Sequence, residues 1–230
     1  IASKRLETLS RSGAQEFVVN GTTDSTGVSR FVSSSAQYPH SRGLRPDLYR
    51  CFMQQTWLHM SNTGLVGLIH PESHFTDEKA GQLRAATYSR LRRHWQFVNE
   101  LQLFEVHNLV TYGVHLYGHS VLKPKFRMAT SMYHPETAAR SILHDGSGAE
   151  PGLKDASGKW DLRPHQSRIT EVDDQTLRTW HALLETPEVP VQHTRMVYAV
   201  NQATAAMLEK LSKSSRLGAL DLKFSQGWNE

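Results

Sequence analysis

The chain has 230 residues, 38% of them hydrophobic, enough for a real core and for one large domain or two small ones. Its 26 Lys and Arg against 22 Asp and Glu leave a formal charge of +4, a mild basic bias that fits a nucleic-acid partner without demanding one. A single cysteine, Cys51, excludes an intramolecular disulfide framework and a Cys-rich zinc site. No apolar run approaches the ~18 residues of a membrane span and no signal peptide is readable, so the expected home is cytoplasmic. Opening on Ile1 without Met and closing on FSQGWNE, the chain reads as part of a longer protein.

Residues 1–44 are rich in Ser, Thr and Gly and predict a short helix around Ser3–Gly13 followed by an irregular connection. Asp47 then caps a helix over Leu48–Met60, with Tyr49, Met53, Trp57 and Met60 at helical spacing and Leu48 and Phe52 widening the apolar surface. Ser61–Gly64 ends it in a turn. Leu65–Ile69 is a short continuous apolar run, as in an interior parallel strand covered on both faces. Thr76 is the expected cap of the next helix, on which Leu83, Thr87, Leu91 and Trp95 share a face while Arg84, Arg90, Arg92 and Arg93 form a solvated basic one.

Trp95–Leu101 and Thr111–Tyr117 are the next strands, joined by LFEVHNL; in the second, Tyr112, Val114 and Leu116 alternate with Thr111, Gly113 and His115, predicting one wetter face. Further helices are predicted over Asp174–Glu185, capped by Asp173, and Asn201–Ser212, capped by Asn201, with a possible strand over Thr194–Val200 between them. The pattern divides the chain into an irregular segment (1–44), an α/β core (45–120) and a mixed α+β region (121–230).

Two His pairs, His70/His74 and His115/His119, have the four-residue spacing of helical metal ligands. The first falls on a turn and the second on a strand end, so no metal is expected from either. Glu72, Asp77 and Glu78 lie at a helix start, where capping and the helix dipole account for them. No G-x-S-x-G, P-loop or G-x-G-x-x-G motif is present. Lys123, Lys125 and Arg127, spaced by Pro124 and Phe126, combine cations with an aromatic in an extended run and are the candidate nucleic-acid contacts.

The succession of Pro46-Asp47-Leu48-Tyr49-Arg50-Cys51-Phe52, the GLVGLIHP strand, the LR-containing helix, the ELQLF loop and the YGVHLYG strand resembles the second half of an S-adenosylmethionine-dependent DNA adenine-N6 methyltransferase. The likeness is to large single-chain enzymes of restriction-modification and phage-defence systems, and covers about residues 44–118, roughly a third of the chain. It implies the last strands and flanking helices of a Rossmann-like methyltransferase sheet, with residues 119–230 leading toward a target-recognition region. It also implies that Phe104 packs against an adenine flipped out of the duplex, with His107 and Asn108 near the flipped nucleotide or its phosphate. Double-stranded DNA and the remainder of the parent chain are the implied partners.

In that family the cofactor lies over a Gly-rich F-x-G-x-G-like loop, and the target amine is held by an Asn/Asp-Pro-Pro-Tyr/Phe motif. Neither motif occurs in this sequence. S-adenosylmethionine is therefore expected in the parent enzyme and not held tightly by this chain, and no catalytic residue is assigned. Two other readings stay open: a non-catalytic DNA-binding or specificity module on the same scaffold, and a small-molecule enzyme built on the His-rich turns. On the methyltransferase reading the chain alone is catalytically silent. Turnover in a methyl-transfer assay with S-adenosylmethionine and DNA would contradict it.

Overall fold

A computed structural model describes residues 2–220, 222, 223 and 227. Helix α1 (Ala2–Leu9) is followed, where an irregular connection was expected, by the 19-residue helix α2 (Ala14–Val32). Gly13, at φ 74°, makes the break between them, and none of the residues of α2 is buried. Its Ser, Thr and Gly content is a weak local bias against helix, and the structure overrides it.

Helix α3 (Leu48–His59) begins as expected, the Asp47 carboxylate accepting the Tyr49 N–H. Met53 and Trp57 face the core, whereas Leu48 and Phe52 are exposed and do not widen the buried face. Cys51 is buried.

Strand β1 (Val66–Pro71) leads through the single-turn helix α4 (Ser73–Thr76) and a short 3-10 turn to α5 (Gly81–Arg90). Thr76 lies inside α4 and caps nothing; Asp77 accepts the Lys79 N–H instead. Helix α5 stops at Arg90, so Leu91 and Trp95 belong to strand β2 (Leu91–Val98) and not to a helical face. Strand β3 (Thr111–Tyr117) has the predicted bounds. Then follow β4 (Phe126–Met132), α6 (Pro135–Ile142), β5 (Thr170–Val172), α7 (Asp174–Leu184) and α8 (Gln202–Leu211). The caps of the last two helices, Asp173 and Asn201, are the predicted ones. Residues 194–200 form no strand; they cross the core as coil, with the Met196 N–H bonded to the Phe75 carbonyl.

The sheet is mixed, in the order β1-β3-β2-β4-β5. Strand β3 runs antiparallel to both β1 and β2, β4 is parallel to β2, and β5 is antiparallel to β4. The expectation of an interior parallel strand at Leu65–Ile69 is therefore corrected: β1 pairs antiparallel with β3 alone among the described residues, and Leu65 and Ile69 are exposed. An apolar run marks a strand without saying how many neighbours it has.

The larger core cluster joins Met53, Trp57, Phe75, Leu83, Tyr88, Leu91, Tyr117, Phe126 and Leu177. A smaller cluster on the other face joins Phe97, Tyr112, Ala129, Met132 and Ala138.

Arg84, expected on a basic surface, is only 2% exposed. Its guanidinium donates to the carbonyls of His74 (3.0 Å), His193 (2.7 Å) and Asp77, tying the β1–α5 connection to the segment after α7. Replacing Arg84 with Ala leaves three carbonyls without a strong donor and is expected to cost about 3 kcal/mol in urea unfolding. Arg84→Lys should recover only part, because one ammonium cannot match the planar fork.

Candidate functional site

Two features concentrate chemistry on strands β1, β2 and β3. One is the loop joining β2 to β3; the other is a buried group of His and Glu side chains drawn from β1, β2 and β3.

The loop is built on Asn99, which is fully buried. Its side-chain amide donates to the carbonyls of Phe104 and Val106 at 2.9 Å each, and its carbonyl oxygen accepts the Phe104 N–H at 3.0 Å. The Asn99 N–H in turn reaches the Val110 carbonyl. One residue thus fixes a long loop at its middle and both ends. Phe104 is held 44% exposed, packed edge-to-face against Tyr112 with ring centroids 4.8 Å apart. Leu101, Leu103, Val106 and Leu109 are also exposed, so the loop presents an apolar tip. His107 is exposed, its Nδ1 accepting the Leu109 N–H, and the Asn108 amide donates to Glu100.

The basic segment lies elsewhere. Arg127 pairs in register with Arg93 near the start of β2, while the loop follows Val98 at its end. At about 3.3 Å per residue the two candidate DNA contacts are roughly 15–20 Å apart along the strands. Lys123 is exposed, Lys125 is paired with Glu171 at 2.9 Å, and Arg127 is exposed. Phe126 is buried in the core and offers no face for stacking on a base.

The buried group was not legible as a unit. His94 and His115 are register partners on β2 and β3, so their rings share one face of the sheet. This is the strand face expected to be wetter, and it is covered. Glu72 follows β1 directly and stands at the N-cap position of α4 as expected, but its buried side chain makes no capping bond, so capping does not account for it. Its Oε1 lies 3.0 Å from His94 Nε2 and 3.9 Å from His115 Nε2. Gly113 makes the room: a Cβ there would sit 2.2 Å from the His115 ring and 2.8 Å from the Glu72 carboxylate. His70 stacks on His115 at 3.9 Å between centroids and bonds the Tyr117 hydroxyl at 2.9 Å through Nε2. His74, also buried, meets the Tyr49 hydroxyl at 3.3 Å.

Loss of hydration sets the protonation of this group. It lowers His70 to about 4 and His94 to about 3, and holds His74 and His115 well below the ordinary value. The same burial raises Glu72 to about 8. The contact between Glu72 and His94 has the distance of an ion pair, but burial leaves both groups uncharged at neutral pH. Both carboxyl oxygens of Glu72 and both ring nitrogens of His94 and His115 lack a well-formed hydrogen bond. Each such orphan costs about 1–3 kcal/mol. Glu72, His94 and His115 offer ligand atoms within 4.8 Å of one another and could hold a cation. Neither four-residue His pair does so by itself; His119 lies on the surface.

No protein-family model and no curated protein sequence matches the chain. Among solved structures it is similar to the type IIG restriction endonuclease BpuSI, at 11% identity and a TM-score of 0.35 over 63% of this chain and 18% of that one. It is also similar to the M protein of the type I restriction enzyme EcoKI, at 11% identity and a TM-score of 0.40 over 74% of this chain and 43% of that one. The chain thus spans less than half the length of either structure. At these values the likenesses carry no argument about activity. Among the described residues, no helix is long and apolar enough to cross a membrane.

The titrations make opposite demands on stability. Below about 6.5 the unfolded His residues take up protons that the fold refuses, so stability is lost as pH falls toward 3–4. Above about 4.5 the unfolded Glu72 releases a proton that the fold retains, so stability is lost as pH rises toward 8. Between those bounds four His outweigh one Glu. In chelator-containing buffer the melting temperature should therefore peak near pH 7, where the four half-titrated His and Glu72 balance, and fall on both sides. Glu72→Gln should abolish the fall between pH 7 and 8, and an unchanged alkaline limb would refute the assignment.

Proposed function

We propose that this chain is the base-facing part of the catalytic core of a DNA adenine-N6 methyltransferase from a restriction-modification or phage-defence system. The observation that carries the reading is Phe104, half exposed on a loop whose backbone a single buried Asn99 holds through three hydrogen bonds. An enzyme acting on a base must draw it out of the duplex, and an aromatic face on a rigid support replaces the stacking that is lost. The sequence likeness assigns that role to this position, and the strand-helix-hairpin order it requires is present as β1, α5 and β2–β3. Asn108 is engaged with Glu100, and His107 keeps only Nε2 to meet a nucleotide phosphate.

S-adenosylmethionine, when bound in the parent enzyme, supplies the methyl group. The Gly-rich cofactor loop and the N-P-P-aromatic motif are not among these residues, so cofactor and target amine would be held by other parts of the parent chain. This chain's contribution is to receive and orient the base. The non-catalytic DNA-binding alternative finds less support, because Lys125 is already paired and Phe126 is buried.

The test compares two duplexes of one sequence, fully paired or with a single adenine opposite an abasic site. The wild-type chain should prefer the second. Phe104→Ala should remove that preference, weakening binding to the unpaired adenine about 10-fold while leaving the paired duplex unaffected. Asn99→Ala should act in the same direction by releasing the loop. Equal binding of both duplexes by wild type and variants would contradict the proposal.

A further inference from the structure

We propose that Glu72, His94 and His115 bind one divalent transition-metal ion, with Zn²⁺ the foremost candidate, as a structural clamp across β1, β2 and β3. The proposal stands apart from the methyltransferase reading and would survive its failure.

Two imidazoles and one carboxylate are a donor set suited to Zn²⁺ and neighbouring transition ions, and a poor one for Mg²⁺ or Ca²⁺, which favour oxygen. The three side chains come from three separate strands or strand ends, so an ion there would cross-link the sheet where no disulfide can. Their ligand atoms already lie within 4.8 Å of one another. Ligands about 2.0–2.1 Å from a tetrahedral ion stand ~3.3 Å apart, so closure needs only small side-chain movements.

The arrangement is costly without an occupant. Side-chain exposure is 0% for His94 and His115 and 3% for Glu72, and every side-chain polar atom of the three lacks a well-formed hydrogen bond. An ion would settle one nitrogen on each ring and the carboxylate; the second ring nitrogens would still lack partners. Gly113, whose Cβ would collide with both His115 and Glu72, leaves the space open. Tyr198 supplies a candidate fourth oxygen, its buried hydroxyl being unpartnered and its ring 6.4 Å from that of His94. Burial this complete leaves substrate no access, which assigns the ion a structural role. It would enter as the sheet forms, so that metal affinity becomes folding stability.

The test uses the untagged chain, stripped with chelator and then supplied with Zn²⁺. Elemental analysis after gel filtration should find one Zn²⁺ per chain, and the melting temperature should rise with Zn²⁺ and not with Mg²⁺. Glu72→Gln and His94→Gln should each weaken Zn²⁺ binding by at least about 100-fold, while His119→Ala, on the surface, should leave it intact. Should either core variant fail to fold, Co²⁺ in the wild-type chain keeps the question open to refutation. It should give the strong visible absorption of a tetrahedral nitrogen–oxygen site without a thiolate band. A folded wild-type chain that neither retains nor is stabilised by Zn²⁺, or one whose bound Zn²⁺ survives both core substitutions, would overturn the proposal.

Discussion

The position of β3 between β1 and β2 is the constraint on which both candidate sites depend. Its antiparallel register with β2 sets His115 beside His94, and its register with β1 sets Gly113 opposite His70, close to where the chain turns into Glu72. Because Gly113 carries no side chain, the carboxylate and the rings can meet over it. The start of the same strand anchors the Phe104 loop through the Val110–Asn99 bond and through Tyr112, on which Phe104 rests. A one-residue slip of β3 would turn His115 to the opposite face and Tyr112 away from Phe104.

The sheet continues past this unit without a break. Strand β4 adds to the free side of β2 in parallel, and β5 follows, so the residues after Gly118 extend the same layer. The consequence for function is one of distance. The apolar loop and the basic segment 123–127 occupy opposite ends of the strands, and a duplex touching both would have to run along the sheet. The loop is the better-built of the two. Its backbone is organised by a buried amide, whereas the basic residues are exposed and Lys125 is committed to Glu171.

Local signals in the sequence were legible. Asp47, Asp173 and Asn201 cap the helices they were expected to cap, and the alternation of β3 gave its bounds, because each of these depends on neighbours within a few residues. The position of Phe104 on a loop between two strands was legible as well. What the sequence concealed depends on long-range contact. Arg84 looked like one member of a solvated basic face, yet its partners include the His193 carbonyl, 109 residues away. The strand at β1 looked interior because its residues are apolar, although among the described residues it has one neighbour. The histidines show this most plainly: neither four-residue pair is the group that meets, which takes Glu72 from between His70 and His74 and adds His94, a member of no pair. The usable signal was the alternation itself, which sets His115 and Gly113 on one face of β3.

If β3 holds the loop as a platform for an extruded base, the contact should be capturable at Phe104 itself. The direct measurement replaces Phe104 with a photoreactive phenylalanine analogue, irradiates the chain with a duplex carrying an adenine opposite an abasic site, and maps the adduct by mass spectrometry. Cross-linking to that adenine is the expected result. Adducts confined to protein, or spread along the duplex with no preference for the unpaired base, would contradict it.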